Sequence, residues 1–335
     1  MINRFLTNLC LVGILSGCGP GDNIKIAPDG SQNDTYDPIQ DSQEEDDPVP
    51  EEETEDTGTD TGPEPDQLTD FSQWGPHYPY GIAKETRAAS VTNCPSMEYE
   101  VYTPYVDNPP VVVLGHGFAR GSGVMTGWAE HLSSWGVEVL LPTLCHYNVF
   151  TGVDHEMNGQ NMKELADLHG VPNAIYAGHS AGGLAAIIAA SKDPTSAGVL
   201  GLDATDTQDV PGVPDLIGQQ YAADVISPAF SISGEPSSCN ANNNGLELFR
   251  MMGNFRAVKA ISSDHCDFES PTDWVCESQC LNPSVEFTDE EIRPIIITLG
   301  TAAIMSLTDL SSDGDVVWAT GLEDWENQGI IQELE

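Results

Sequence analysis

The chain has 335 residues, which is enough for one large domain or two smaller ones. It contains 53 acidic and 11 basic residues, so its formal net charge at pH 7 is −42. A charge of this sign and size repels phosphate backbones and anionic lipid headgroups, and it therefore argues against nucleic acid as a partner.

The first 18 residues have the pattern of a secretory leader. Arg4 supplies a positive charge, and the apolar run over residues 5–15 is too short to cross a bilayer. The run ends in Leu-Ser-Gly-Cys at Cys18, which resembles a bacterial lipoprotein signal. This resemblance implies that residues 1–17 are a signal peptide, and that acyl chains such as palmitate on Cys18 anchor the protein in the cell envelope, at the outer membrane or cell surface. An ordinary signal peptide that is cleaved nearby is the alternative.

Residues 18–70 are expected to form a disordered, acidic linker behind that anchor. The 49 residues from 22 to 70 include 18 acidic residues and a single lysine, Lys25, and proline, threonine and glycine are frequent among the others. Such a composition buries too little apolar area to offset the loss of chain entropy. A calcium site built from these carboxylates is the alternative, but the stretch lacks a regular Asp-x-Asp-x-Asp-Gly loop.

From residue 71 onward, short apolar runs alternate with helical patterns. The predicted strands cover residues 111–114, 137–141, 174–177, 199–202, 229–232 and 257–261. The predicted helices cover residues 128–135, 155–169, 184–190 and 292–305, and the last of them must hold Pro294 in its first turn. This alternation predicts one α/β domain over residues 71–335, with a mostly parallel central sheet and helices on both faces.

Residues 178–182 read Gly-His-Ser-Ala-Gly and predict a nucleophile elbow at Ser180. The pattern alone is common, but here it follows a predicted strand and leads into a predicted helix, as an elbow requires. The glycines at positions 178 and 182 remove side chains that would collide where the strand and the helix approach each other. A glycine-rich turn without catalytic function is the alternative.

The general base that such a serine needs is predicted to be His265. In this type of fold the acid and then the histidine follow the serine in the chain, and His265 is the one histidine after Ser180. It follows the strand predicted over residues 257–261. A solvated surface histidine is the alternative.

Three carboxylates compete for the role of the acid that orients His265. Asp203 stands directly after the strand at residues 199–202, Glu235 follows the next strand, and Asp206 lies three residues beyond Asp203. The preference runs from Asp203 through Glu235 to Asp206.

The oxyanion hole is expected to use two backbone amides. One belongs to Ala181, the residue after the nucleophile, and the other to Phe118, in the loop after the first predicted parallel strand. Gly117 allows a close backbone approach in that loop. His116 precedes the serine in the chain, so it is interpreted as a brace of the loop rather than as a base.

Four segments, residues 115–118, 178–183, 201–206 and 264–268, together resemble the chlorophyllase-like branch of the α/β-hydrolases. That branch is similar to dienelactone hydrolases and to bacterial polyester hydrolases of the cutinase type. The resemblance covers about residues 95–310 and implies the α/β-hydrolase fold, with Asp203 in the place of the chlorophyllase acid. Chlorophyllases carry a proline where Ala204 stands, and in polyester hydrolases the acid follows the next strand, which corresponds to Glu235.

Six cysteines follow the leader and predict disulfide bonds formed in an oxidising compartment. They are Cys94, Cys145, Cys239, Cys266, Cys276 and Cys280. A zinc site using His265 and the last three cysteines is the alternative; disulfides are preferred, and neither a metal nor a cofactor is expected. A disulfide from Cys266 should clamp the loop that carries the base.

These patterns predict an extracytoplasmic serine hydrolase that cleaves carboxylic esters through an acyl-enzyme intermediate. The expected partners are a small-molecule or lipid-like ester and, through the N-terminal anchor, a membrane; the chain is expected to be a monomer. One alternative is a lipase or polyester hydrolase with the same triad. The other is a non-catalytic surface lipoprotein that uses the fold for binding.

Overall fold

A nine-stranded sheet dominates the computed structural model, which describes residues 74–148, 152–210, 212–280, 286–308 and 310–334. These residues belong to one compact unit. The strands of the sheet are β1 (Ile82–Val91), β2 (Cys94–Pro104), β3 (Val111–Gly115), β4 (Glu138–Pro142), β7 (Ile175–His179), β8 (Gly198–Leu202), β9 (Ala229–Ser233), β10 (Phe255–Ala260) and β11 (Ile331–Leu334), and β5 (Tyr147–Asn148) and β6 (Gly152–Val153) form a separate short ribbon.

The helices connect these strands and cover the sheet. They are α1 (Thr126–Ser134), α2 (His155–Leu168), α3 (Ala181–Lys192), α4 (Gln219–Ala222), α5 (Leu246–Arg250), α6 (Trp274–Gln279), α7 (Asp289–Ser306), α8 (Asp313–Val316) and α9 (Glu323–Asn327). Short 3₁₀ turns at Ser122–Met125 and His265–Phe268 and a π turn at Val317–Gly321 complete the set. In the part of the chain that the structure describes, no helix combines the length and the apolar composition that crossing a bilayer requires.

The strand order is β1-β2-β4-β3-β7-β8-β9-β10-β11. Six strands in the middle of this order run parallel to one another: β4, β3, β7, β8, β9 and β10. At the two edges, β1, β2 and β11 pair in antiparallel fashion. The carboxyl ends of the parallel strands therefore meet along one edge, where ligands bind in open α/β sheets.

The core has two halves, one on each face of the sheet. On β3 the buried side chains alternate: Val112 and Leu114 pack into the half that contains α1 and α7, and Val111 and Val113 pack into the half that contains α2 and α3. This alternation follows from the two-residue period of a strand. The prediction of an α/β fold with a mostly parallel sheet and helices on both faces is confirmed.

The predicted parallel strands and main helices are present, with shifted boundaries. Helix α7 begins at Asp289, after a capping box between Thr288 and Glu291, so Pro294 lies in the second turn and not in the predicted first turn. The Thr-x-x-Glu pattern of that box is the sequence signal for the earlier start. The hairpin of β1 and β2 was not predicted, because β1 is largely exposed and lacks a clear alternation.

Three disulfides join the six cysteines, which confirms that part of the prediction. The pairs are Cys94–Cys145, Cys239–Cys280 and Cys266–Cys276. The sulfur atoms of Cys266, Cys276 and Cys280 lie within 4.8 Å of one another because two of these disulfides are neighbours. The predicted signal peptide (1–17), the lipidated Cys18, the linker up to residue 70 and the domain start at residue 71 lie outside the described residues.

Candidate active site

Ser180 sits at a sharp turn between β7 and α3. Its backbone has φ 56° and ψ −124°, a conformation that L residues rarely adopt and that is tolerated where the surrounding structure enforces it. The Ser180 amide donates to the Leu202 carbonyl (3.0 Å), and the Ser180 carbonyl accepts from the Thr205 amide (3.1 Å). The turn is therefore tied to the end of the neighbouring strand β8.

Glycines make this turn possible because the backbone segments touch. A Cβ atom at position 178 would lie 2.3 Å from the Gly182 carbonyl oxygen, and one at position 182 would lie 2.4 Å from the Gly115 carbonyl oxygen. Neither distance is compatible with a side chain. The sequence-based reason for the two glycines is thus the reason that the structure shows.

His265 comes from the loop that follows β10. It opens a 3₁₀ turn that Asp264 and Asp267 close with a capping box: Asp264 Oδ1 accepts from the Cys266 amide (2.7 Å), and Asp267 Oδ2 accepts from the Asp264 amide (2.8 Å). Cys266 is bonded to Cys276, so the residue next to His265 is cross-linked to α6.

The imidazole of His265 contacts the carboxylate of Asp203. Its Nδ1 atom lies 2.6 Å from Asp203 Oδ2. A carboxylate accepts, so Nδ1 carries the proton and Nε2 keeps the lone pair that a general base needs. Asp203 is fully buried, and its Oδ1 accepts from the Gly234 amide (2.9 Å).

The structure does not bring Glu235 or Asp206, the other two candidate acids, to His265. Glu235 pairs with Lys259 of β10 (3.2 Å). Asp206 turns away, and its Oδ1 accepts from the amides of Thr207 (2.8 Å) and Gly218 (2.9 Å). Of the three carboxylates, Asp203 alone has the geometry of an orienting acid within the described residues.

Asn240 is a site residue that sequence reasoning missed. It is fully buried, and its Nδ2 amide lies 3.2 Å from Asp203 Oδ2 and 2.9 Å from the Glu235 carbonyl oxygen. Its Oδ1 accepts from the Ser237 amide (2.8 Å), which fixes the side chain from the other end. No motif surrounds Asn240 in the sequence, because the contact spans 37 residues and depends on how two loops pack.

The two predicted oxyanion donors lie next to Ser180. A Cβ atom at Gly117 would lie 3.3 Å from Ser180 Cβ, so the loop that carries Phe118 passes directly over the elbow. Within the described residues, neither the Phe118 amide nor the Ala181 amide has a hydrogen-bond acceptor. Both amides therefore have a proton that a ligand beside Ser180 could accept.

His116 braces that loop, as predicted. Its Nδ1 donates to the Gly117 carbonyl (2.9 Å), and its Nε2 accepts from the Leu144 amide (3.0 Å). Complete burial lowers the pKa of His116 to about 4, so the ring is neutral at pH 7 and can accept this second bond.

His179, inside the Gly-x-Ser-x-Gly motif, connects the elbow to the base. Its Nε2 donates to the His265 carbonyl (3.0 Å), and the two rings are 4.5 Å apart between centroids. Burial lowers the pKa of His179 well below its ordinary value. A neutral His179 thus holds the backbone of His265 in place and adds no charge beside its ring.

A partly buried ion pair joins the two loops that flank the site. Arg120, three residues after Gly117, donates through Nε and Nη2 to the carboxylate of Glu269 (2.7 and 2.8 Å) and through Nη2 to Asp273 (2.9 Å). Glu269 follows the 3₁₀ turn of His265 and its side chain is completely buried. This pair was not predicted, because its partners lie 149 residues apart.

Two cavities meet at Ser180. The His265 cavity, which His265 lines, has a volume of about 230 Å³, and the Ala181 cavity, which Ala181 lines, has a volume of about 260 Å³. Phe118, Ser180 and Cys239 line both of them. Ser180 is only 7% exposed, and both cavities reach it.

Comparisons with known proteins do not assign this site. No protein-family model matches the chain, and the search of curated proteins gives no significant match.

Proposed function

We propose that the chain is a serine hydrolase of the α/β-hydrolase type that cleaves carboxylic esters with Ser180, His265 and Asp203. The observation that carries this proposal is the 2.6 Å contact between Asp203 and His265, in a site where His265 and the elbow serine line one cavity. The chain order Ser, Asp, His and the strand–turn–helix setting of Ser180 support the α/β-hydrolase type. The contact of His265 with Asp203, directly after β8, supports the resemblance to the chlorophyllase-like branch.

In the proposed reaction Ser180 Oγ attacks the ester carbonyl while His265 Nε2 takes its proton. The amides of Phe118 and Ala181 stabilise the oxyanion, and Asp203 stabilises the imidazolium. His265 then gives the proton to the leaving alkoxide, so that an alcohol departs and an acyl-enzyme remains. Water, activated by the same imidazole, releases the carboxylic acid and regenerates the serine.

The size of the site favours a small-molecule or lipid-like ester. Cavities of about 230 and 260 Å³ accept short groups on either side of the nearly buried serine. A lipase or polyester hydrolase with the same triad must admit the end of a long chain into one of them. A non-catalytic binding protein, the remaining alternative, has no use for an oriented imidazole and free amides beside a strained serine.

We further propose an extracytoplasmic location, with Cys18 as the lipid anchor. Three disulfides in the described residues support an oxidising compartment.

The proposal is tested by the turnover of p-nitrophenyl esters. Ser180→Ala should lower kcat by about 10⁶-fold, as loss of the nucleophile does in other serine hydrolases. Ser191→Ala is the matched control, since this serine lies on α3 and donates to the Ile188 carbonyl (2.7 Å). Equal turnover by wild type and Ser180→Ala would refute the assignment.

A further inference from the structure

The Ala181 cavity bears on the identity of the substrate, provided that Ser180 is the nucleophile of the proposed function. This cavity shares Ser180 with the His265 cavity, but its other walls differ: they include Thr205, Asp206, Gln208 and His155. These polar side chains are not needed for the triad or for the oxyanion hole.

The position of the base decides which half of an ester enters which cavity. His265 must reach the leaving oxygen to protonate it, so the alcohol half belongs in the His265 cavity. The acyl half projects from the other side of the reacting carbon, past Ala181. The Ala181 cavity is therefore the acyl site of an ester bound at Ser180.

Two side chains of the acyl site have buried polar atoms with unused hydrogen-bonding capacity. Asp206 Oδ2 and His155 Nδ1 have no partner among the described residues. Asp206 is 2% exposed and His155 is 3% exposed. Burying a polar atom without a partner is costly, so a ligand group that satisfies either atom would bind favourably.

The chemistry of the two atoms specifies that group. A carboxylate oxygen accepts only, and a neutral imidazole nitrogen either donates or accepts. A hydroxyl suits either atom, because it can donate to Asp206 and can either accept from or donate to His155. None of the described residues that line this cavity is a lysine or an arginine, so nothing there compensates a negative charge.

We propose that the Ala181 cavity binds an acyl group that carries a hydroxyl, and that esters of short hydroxy acids are preferred over esters of plain alkanoic acids. Asp206, a candidate triad acid by its place in the sequence, thereby becomes a specificity residue of the acyl site, as does His155.

The protonation state of His155 agrees with this assignment. Burial lowers the pKa of His155 to about 4, so its ring is neutral at pH 7. Burial also raises the pKa of Asp206, while the Thr207 and Gly218 amides hold its other oxygen in place.

The test compares p-nitrophenyl esters that differ only by a hydroxyl in place of a methyl. The pairs are 2-hydroxypropanoate with 2-methylpropanoate and 3-hydroxybutanoate with 3-methylbutanoate, with both enantiomers of each hydroxy ester. The measured quantity is the ratio of kcat/KM for a hydroxy ester to kcat/KM for its methyl counterpart, each divided by the rate of hydrolysis by hydroxide. We expect this corrected ratio to be about ten or more for at least one hydroxy ester. Corrected ratios near one for both pairs would overturn it and leave the two polar atoms to a bound water.

Two variants locate the effect. Asp206→Asn keeps an oxygen for the Thr207 and Gly218 amides but loses the charge, and the corrected ratio should fall about fivefold or more. His155→Phe removes the second partner and should also lower the ratio. Val275→Ala, in the His265 cavity, is the matched control and should leave the ratio as in wild type. Equal ratios in Asp206→Asn and wild type would contradict the role of Asp206.

A fluorophosphonate probe separates failure of the acyl site from failure of the proposed function. If wild type carries the probe on Ser180 but does not discriminate between the esters, only the acyl-site proposal is overturned. If Ser180 is not labelled, both proposals are overturned.

Discussion

Ser180 and His265 line the same cavity but are held in place by different interactions. The elbow (residues 178–182) is fixed by backbone packing, because its glycines contact other backbone atoms and its flanking strand and helix are buried in the core. The base loop (residues 261–273) depends on polar and covalent contacts. Its ties are a capping box, the Asp203 and Glu269 contacts and the Cys266–Cys276 disulfide.

The elbow and the base loop should therefore respond to different perturbations. Overpacking should damage the elbow, whereas loss of a charge or a cross-link should displace or misorient the base. Single and double variants can separate the two halves, and the largest effect is expected from the acid that orients the base.

The strongest test of the base loop is Asp203→Asn. The amide offers no negative charge and favours the wrong tautomer of His265, so kcat should fall by about 10⁴-fold. Kinetics with a p-nitrophenyl ester measure this loss. Glu235→Gln, at the alternative acid, should change kcat by less than about threefold, since its carboxylate contacts Lys259 and not the imidazole of His265. The reverse result would assign the role of the acid to Glu235.

For the elbow, the corresponding variant is Gly178→Ala. Its methyl group would lie 2.3 Å from the Gly182 carbonyl oxygen, and overpacking of this kind lowers the free energy of unfolding by about 3 kcal/mol. Chemical denaturation measures the loss. Gly123→Ala is the control, because nothing lies within 4 Å of its added methyl, and its stability should match wild type within about 0.5 kcal/mol. Equal stabilities for the two variants would show that the elbow is not packed as described.

Removal of one disulfide should affect the base loop in particular. The double variant Cys266→Ala/Cys276→Ala should lose about 2 kcal/mol of stability and, because His265 is next to Cys266, about tenfold or more in kcat. Stability comes from denaturation curves and kcat from ester turnover.

The control for that variant is the pair Cys94→Ala/Cys145→Ala, whose disulfide joins β2 to the segment after β4. It should lose stability while kcat stays near wild type. If both double variants lose kcat equally, the cross-link at Cys266 has no particular role in holding the base.

The pH dependence of the free energy of unfolding tests the role of His116, which braces the loop over the elbow. Burial lowers the folded-state pKa of His116 to about 4, below its ordinary value of 6.5, so the unfolded chain binds more protons between these two values. The contribution of His116 is therefore complete above pH 6.5 and is lost as the pH falls toward 4.

His116→Gln provides the reference, because glutamine can donate and accept but does not titrate in this range. Denaturation at several pH values should show wild type losing stability relative to the variant by up to about 1.4 kcal/mol per pH unit as the pH falls. A constant difference between the two proteins would mean that His116 titrates normally in the folded state.

The sequence predicted the elbow well because its cause is local. A buried strand, two glycines and a following helix are consecutive in the chain, so Ser180 could be placed without knowledge of the rest of the fold. Asp203 and His265 followed from strand order, since each directly follows a parallel strand and these strands end along one edge of the sheet.

The supports of the base could not be predicted in the same way. The Arg120–Glu269 pair and the Asn240–Asp203 contact join residues that are far apart in the chain, and the geometry depends on loop packing. The sequence did not indicate which cysteines pair, for the same reason. Asp206 shows the limit most clearly, because its position in the sequence suits a triad acid while its side chain faces the Thr207 and Gly218 amides.

The central claim is that Ser180 is an activated nucleophile, and covalent labelling tests it most directly. Wild-type protein treated with a fluorophosphonate at pH 7 should gain one adduct, which peptide mass spectrometry should locate on Ser180, and Ser180→Ala should gain none. A folded wild-type protein that stays unlabelled, or that carries its adduct on another residue, would contradict the account.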